Sequence, residues 1–447
     1  MNISVFGAGY VGLVTAVCFA EIGHRVNIFD IDKNKINSLN KGKIPIYEPG
    51  LEDLFKKNLD AKRVSIEANL NNALDFSDIY FICVGTPQFK NGKPNLNYLY
   101  NVCRSIKKFI NKKNVITDKY LVLKSTIPPG TTNKIRSLVF GDQKFKNLHI
   151  GSNPEFLREG HAVFDFMNSD RIVIGSDSQK LVAKVSKIYN LLKSSAKIIV
   201  TDPQSSELIK YGSNAFLATK ISFINELSRL SDKVGGNIDE ISLGLGLDKR
   251  IGNSFLNAGL GYGGSCFPKD TRGLAASFLD NKIPSEIIQS VIKVNKTQKD
   301  YFIHKILKRF SKQELKKKSV LILGTAFKPN TDDIRESVSI EVIRKISSMV
   351  KQIYIFEPIA RKNSADELSS LENIKFQTSK KPKISKFHDF LIVATEYPEF
   401  KELPINDFLN LRDKLVFDGR NILNMNKLSK AGIEYIGIGK QLRENIG

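Results

Sequence analysis

GYGGSCFPKD, residues 261–270, sets a thiol in a glycine-rich stretch with a lysine and an aspartate just downstream. Buried cysteines usually lie on apolar faces and act as small hydrophobes. Cys266 has polar, flexible neighbours instead, a setting that suits a nucleophile. AGLGYGG (258–264) cannot hold regular structure against the entropy of its glycines, so its backbone should wrap closely around something. A thiol there can add to an aldehyde. Loss of hydride from the thiohemiacetal gives a thioester, and water then releases a carboxylate. Lys269 and Asp270 would tune the thiol or place the water. The alternative is a loop cysteine of no consequence.

Two other segments could complete such a site. NPEFLREG (153–160) carries Glu155 and Glu159 four residues apart, on one side if the segment is helical. Lys210 and Asn214 have the same spacing in a longer helical pattern. A cation and an amide donor can stabilise an oxyanion, and a glutamate can act as general base for thioester hydrolysis. For each pair alone a solvated helix face is the favoured reading, since polar pairs at this spacing mostly face water.

Hydride needs an acceptor, and GAGYVG (7–12) follows a strand and opens a helix. Gly7 permits the tight turn, Gly9 lets backbone approach a pyrophosphate, and Gly12 allows close helix–strand packing. The following helix start, with Tyr10 and Val11, offers unpaired N–H groups to phosphate. Asp30 ends the next strand about twenty residues on, where a carboxylate binds a ribose 2′-hydroxyl and repels a 2′-phosphate. NAD is therefore favoured over NADP. Thr86 in VGTP and Ser125-Thr126 in KSTIPPGT end two further strands. Their hydroxyls would face a cofactor, or simply form turns.

Positioning these residues takes an α/β chain. ISVF (3–6), RVNIFD (25–30), IYFICV (79–84), YLVLKS (120–125) and RIVIG (171–175) read as buried strands. They alternate with amphipathic stretches at 10–22, 31–41 and 95–112, which predicts a parallel, doubly wound sheet. Residues 203–234 read as one long helix, with Asp202 as N-cap, Pro203 first and Gly235-Gly236 as the stop. Gly212 within it should cost about 1 kcal/mol of local helix stability. A strand, glycine turn and helix start read again over 316–337, with further strands at 352–358, 390–396 and 414–421. The spacing predicts a Rossmann-like domain over 1–201, a helical domain over 202–310 and a second, smaller Rossmann-like domain over 311–447.

Hydrophobic and charged fractions of 41% and 26% are those of a soluble globular chain. No apolar run reaches membrane length. Cys18, Cys83 and Cys103 lie in apolar-periodic segments and read as core. The four cysteines have no CxxC pair and no framework spacing, so a reducing cytoplasm is the default expectation and no metal centre is expected. The net charge of +22 raises nucleic acid as a partner. The lysines are dispersed, however, with no basic arm, which argues against nucleic acid. The plain reading is a lysine-, isoleucine- and asparagine-rich composition, and the milder functional one a field that attracts anionic metabolites.

Taken in order, GAGYVGLVTA, VGTP, KSTIPPGT, SNPEFLREG, KYGSNAFLATKISFINE, RIGNSFLNAGLGYGGSCFPKD, GTAFKPNTDDIRES and FDGRN resemble the UDP-glucose/GDP-mannose dehydrogenase family. The resemblance covers nearly the whole chain and favours Cys266 as nucleophile. It implies two NAD-dependent hydride transfers that take a sugar C6 alcohol to a carboxylate, in two Rossmann-like domains joined by a long helix. Lys210, Asn214 and Asp270 match positions that stabilise the oxyanion and organise water; Thr126 and Glu155 match positions of the hydrolysis step. Asp30, Lys35, Thr86, Thr126, Glu159, Lys269 and Arg335 fall on NAD positions. Glu155, Phe156, Leu157, Lys210, Asn214, Lys328 and Arg420 fall on sugar-nucleotide positions, as does the segment 255–263, with Phe255, Leu256, Gly259, Tyr262 and Gly263. Arg250 matches an arginine that reaches the substrate from a neighbouring subunit, which implies at least a dimer. FLNAGLGYGGSC is similar to the glucose branch, so UDP-glucose is the implied substrate. GDP-mannose, a UDP-N-acetylhexosamine and a non-catalytic nucleotide-binding scaffold are the alternatives. Asn91 and Asn95 stand where many relatives carry aspartate.

Overall fold

Strands that are apolar on both sides need helices on both faces, and the chain builds two such sheets. The computed structural model describes residues 1–141, 145–192 and 194–440. The first sheet contains β1 (Asn2–Phe6), β2 (Arg25–Phe29), β3 (Val64–Glu67), β4 (Ile79–Ile82), β5 (Lys119–Leu123), β6 (Leu148–Ser152), β7 (Arg171–Gly175) and β8 (Lys197–Thr201). Their spatial order is β3-β2-β1-β4-β5-β6-β7-β8. Val5, Phe81 and Val122 face one core, with Val17 and Phe19 of helix Tyr10–Glu21. Phe6, Tyr80 and Leu121 face the other, with Leu99 and Ile106 of helix Asn97–Lys113.

The first six strands are parallel, as the alternating pattern predicts. β7 departs from that expectation. It meets β6 antiparallel through Ser152 and Gly175, and β8 then pairs parallel to β7. The β6–β7 connection holds only a six-residue helix, Ala162–Met167, where a parallel return usually needs a full crossover helix.

The second sheet is parallel throughout, in the order β11-β10-β9-β12-β13-β14. It contains β9 (Ser319–Leu323), β10 (Gln352–Phe356), β11 (Ile374–Phe376), β12 (Phe390–Val393), β13 (Leu415–Asp418) and β14 (Glu434–Ile436). Val320, Ile322, Ile392 and Phe417 point to one core, and Leu321, Leu323, Leu391 and Val416 to the other.

The chain divides into two compact units. One holds residues 1–213 with 276–282; the other holds 214–275 and 283 onward. Helix Pro203–Val234 begins in the first and continues into the second. Asp202 caps it by accepting the Ser205 N–H at 2.8 Å, and Gly235, at φ +76°, ends it. A Cβ on Gly212 would meet nothing within 4 Å, so close packing does not require glycine there. Asn91 and Asn95 each accept the backbone N–H two residues on, a bond an aspartate would make equally well. Among the described residues no helix is long and apolar enough to cross a membrane.

Candidate active site

In the first unit, β1 runs into the glycine turn as expected. Gly7 has φ +107°, and a Cβ on Gly12 would lie 1.8 Å from the Gly7 carbonyl oxygen, so neither position accepts a side chain. Above Gly9 the space is open, and helix Tyr10–Glu21 has no side-chain cap. Its first-turn N–H groups are thus positioned for an anion. Asp30 braces the turn, accepting the Ala8 N–H at 2.6 Å, with the Lys35 ammonium 3.8 Å away. Open glycine, uncapped helix and carboxylate fit a dinucleotide with a free ribose diol.

The hydroxyls at the next strand ends have other partners. Ser125 donates to the Val84 carbonyl at 2.6 Å, and Thr86 donates to the Thr126 carbonyl at 2.9 Å. Both tie the ends of β4 and β5 together, which is the turn-forming alternative. Glu207 of the long helix holds the loop after Thr126 by accepting from Gly130 and Thr132.

Residues 153–158 form neither helix nor strand, so the four-residue spacing of Glu155 and Glu159 does not place them on one face. Tertiary structure positions Glu155 instead. Its carboxylate lies 3.0 Å from the Lys210 ammonium, with side-chain exposures of 5% and 4%. Burial opposes its ionisation, but Lys210, the Leu157 N–H and Lys124 outweigh that and hold its carboxyl below the usual range. Glu155 is therefore a carboxylate at neutral pH, able to accept a proton. Two cations lie against the Phe156 ring, the Arg171 guanidinium at 4.0 Å from its centre and the Lys210 ammonium at 5.4 Å. Glu48 braces this loop by accepting the Gly160 and Ala162 N–H groups, each at 2.7 Å, and it also bonds the Tyr10 hydroxyl. Glu159 is buried beside them.

The second unit holds the thiol. Cys266 is not mid-loop: its carbonyl accepts the Asp270 N–H at 2.8 Å, so it is the N-cap of helix Phe267–Asp280. The positive end of that helix favours an anion at the sulfur. Asp270, fully buried in the first turn, accepts from the Asn214 amide at 2.6 Å through one oxygen and pairs with Lys269 through the other. Burial pushes the thiols of Cys83 and Cys103 up to about 12 and raises that of Cys18 too. These three are inert core residues, and Cys266 is the partly exposed one.

Upstream, residues 256–263 form neither helix nor strand. Phe255 has φ +66°, and its ring lies 6.0 Å from that of Phe267. Leu256 and Tyr262 are buried. A Cβ on Gly263 would lie 2.2 Å from the Glu336 carbonyl oxygen. Arg420 donates to the carbonyls of Ala394 at 2.8 Å and Gly261 at 3.3 Å, joining the loop to the end of β12. The Lys328 ammonium lies 5.3 Å from the Phe327 ring centre. Arg335 pairs with Asp333, and Arg250, 88% exposed, pairs with Asp248.

Three consecutive family profiles match the chain. The NAD binding domain of the UDP-glucose/GDP-mannose dehydrogenase family matches residues 1–193, its central domain 204–297 and its UDP binding domain 321–425. The chain belongs to this family. It is 41% identical to the UDP-glucose 6-dehydrogenase of Rickettsia prowazekii over 444 residues, 99% of this chain and 100% of the relative. It is 40% identical to UDP-glucose 6-dehydrogenase YwqF of Bacillus subtilis over 443 residues, 99% and 98% of the two chains. Its structure is similar to that of a UDP-glucose dehydrogenase from Pyrobaculum islandicum, with TM-score 0.88, 34% identity and 98% of each chain covered. The NAD requirement and the paired Rossmann-like folds implied by the resemblance therefore hold.

The residues that the resemblance implies fall into two sets, one per unit. The first has the dinucleotide turn, Asp30, Lys35, Thr86, Thr126, Glu155, Phe156, Leu157, Glu159 and Lys210. The second has Asn214, Cys266, Lys269, Asp270 and the loop at 255–263, together with Lys328, Arg335 and Arg420. Glu48, Lys124 and Glu207 also support these residues, and nothing in the sequence marks them. Each is a polar residue whose partner lies far away in the chain, so no local spacing announces it.

Proposed function

We propose that this chain oxidises UDP-glucose to UDP-glucuronate with two NAD turnovers, through a thioester on Cys266. The observation that carries this is a partly exposed thiol capping a helix whose first turn holds buried Asp270 against Asn214. Bound NAD supplies the hydride acceptor for both oxidations. The Glu155 carboxylate receives the C6 hydroxyl proton, with the Lys210 ammonium offsetting the charge that develops on that oxygen. Cys266 thiolate adds to the resulting aldehyde. Asn214 and Lys210 stabilise the thiohemiacetal oxygen, and hydride loss leaves the thioester. Asp270 and Glu155, with Thr126, direct water onto the thioester carbonyl, which releases the carboxylate and returns the thiol. UDP-glucose is preferred over N-acetylated sugars because the relatives near 40% identity are named for it. Two NADH per UDP-glucose consumed is the expected stoichiometry; one NADH with free aldehyde would refute the thioester route.

We infer further that the chain forms at least a homodimer and works in the cytoplasm. Phe216, Phe223 and Leu230 recur every seven residues along the long helix and are exposed, as are Leu243, Leu247 and Ile251. A stripe at that spacing suits a helix partner. Arg250, beside Ile251, would serve the partner's site. Mixing inactive Arg250→Ala with inactive Cys266→Ser chains should then restore activity, since one site per mixed dimer combines an intact thiol with an intact arginine. No restoration after subunit exchange would place Arg250 in its own chain's site.

A further inference from the structure

Substrate loops rich in glycine need something to hold their shape, because the chain itself supplies little restraint. In this loop two residues have both backbone polar groups taken by side-chain amides. The Gly259 N–H donates to Asn225 Oδ1 at 2.8 Å, and the Gly259 carbonyl accepts from Gln298 Nε2 at 2.9 Å. The Tyr262 N–H donates to Asn295 Oδ1 at 2.8 Å, and its carbonyl accepts from Asn295 Nδ2 at 3.0 Å. Asn225 comes from helix Pro203–Val234. Asn295 and Gln298 lie three apart on helix Glu286–Arg309 and so share a face.

We propose that Asn225, Asn295 and Gln298 form an amide clamp that fixes the sugar-nucleotide loop in its binding shape. These are positioning residues, and the proposal rests on the reading that this loop receives the sugar nucleotide. Two observations show that clamp and loop are fitted to each other. A Cβ on Gly261 would lie 2.6 Å from Asn295 Oδ1, so the glycine leaves room for the clamp. Gln298 is itself aimed: Arg229 Nε donates to its Oε1 at 2.8 Å, which turns Nε2 toward Gly259. Asn225 is fully buried, and its oxygen must face the Gly259 N–H. That orientation leaves its Nδ2 without a protein partner among the described residues. A spare buried donor costs stability, so Asn225 is better explained by holding the loop than by stabilising the fold. Amides also suit the ligand, since they hold the backbone without placing a carboxylate near a diphosphate.

The test measures UDP-glucose and NAD binding separately by calorimetry in Asn225→Ala, Asn295→Ala and Gln298→Ala. UDP-glucose affinity should fall about tenfold in each, with NAD affinity changed by less than about twofold. Asn295→Asp adds a pH signature. A carboxylate can accept from Tyr262 but repels its carbonyl, whereas the neutral acid serves both, so its binding defect should shrink as pH falls toward the carboxyl range while that of Asn295→Ala stays constant. Unchanged UDP-glucose affinity, an equal loss for NAD, or matching pH behaviour in the two variants would overturn the clamp. If the unsubstituted chain binds no UDP-glucose, the substrate reading fails by itself. Hydrogen exchange of the 255–264 amides without ligand then decides the clamp: faster exchange in Asn295→Ala supports it, and unchanged exchange refutes it.

Discussion

Cys266→Ser should lower steady-state NADH formation from UDP-glucose at least about a thousandfold, the scale of removing a covalent nucleophile. A serine hydroxyl stays protonated near neutrality, and an ester would form and break far more slowly than a thioester. Stability should move the other way. Cys266 is the N-cap of helix Phe267–Asp280, and serine is a strongly preferred residue there. The variant should therefore unfold at the same temperature as the parent or slightly higher, and it should bind NAD normally through the separate glycine turn. This pairing makes the result readable, because lost activity cannot be assigned to lost fold. Glucuronate produced at the parent rate would remove Cys266 from the chemistry.

Features dictated by the local backbone were legible in the sequence. The dinucleotide turn was, because Gly7 and Gly12 stand where no other residue fits. The long helix was, because Asp202, Pro203 and Gly235 mark its ends chemically. Short or edge strands were not. β3, β11 and β14 have three or four residues each, and β8 is largely exposed, so burial does not imprint a pattern on it. β6 carries His149, Gly151 and Ser152 among its five residues, which hides it among loop-like types. Cys266 reads as a loop residue because the glycines before it mask the helix start, although Pro268, just inside that helix, is a common first-turn residue. The site's supports were the least legible. Glu48, Asn225, Asn295 and Gln298 are ordinary polar residues in sequence, and their roles exist only once distant segments meet. Glu155 shows the same limit: helical spacing gave it the wrong companion, and the ion pair with Lys210 spans more than fifty positions in the chain.

That ion pair carries the second large effect. Lys210→Met leaves Glu155 buried without its ammonium, and breaking such a pair costs about 3–5 kcal/mol. The first unit's unfolding midpoint should drop by roughly 10 °C. The pH dependence follows from the direction of the Glu155 shift. Its folded-state carboxyl is held below the unfolded value, so its contribution to stability is present above the unfolded value and is lost as pH falls through the folded one. In Lys210→Met, burial dominates and the carboxyl rises above the unfolded value, so the penalty is greatest near neutrality and is relieved by protonation. The stability gap between parent and variant should accordingly narrow on acidification. Activity should fall about a hundredfold to a thousandfold, the cost of removing one charge-stabilising donor. Lys210→Met combined with Glu155→Gln separates the two effects, because it removes both charges and should recover most of the stability while remaining inactive. If the double variant regains activity with its stability, Lys210 and Glu155 support the fold and the proton acceptor must be sought elsewhere.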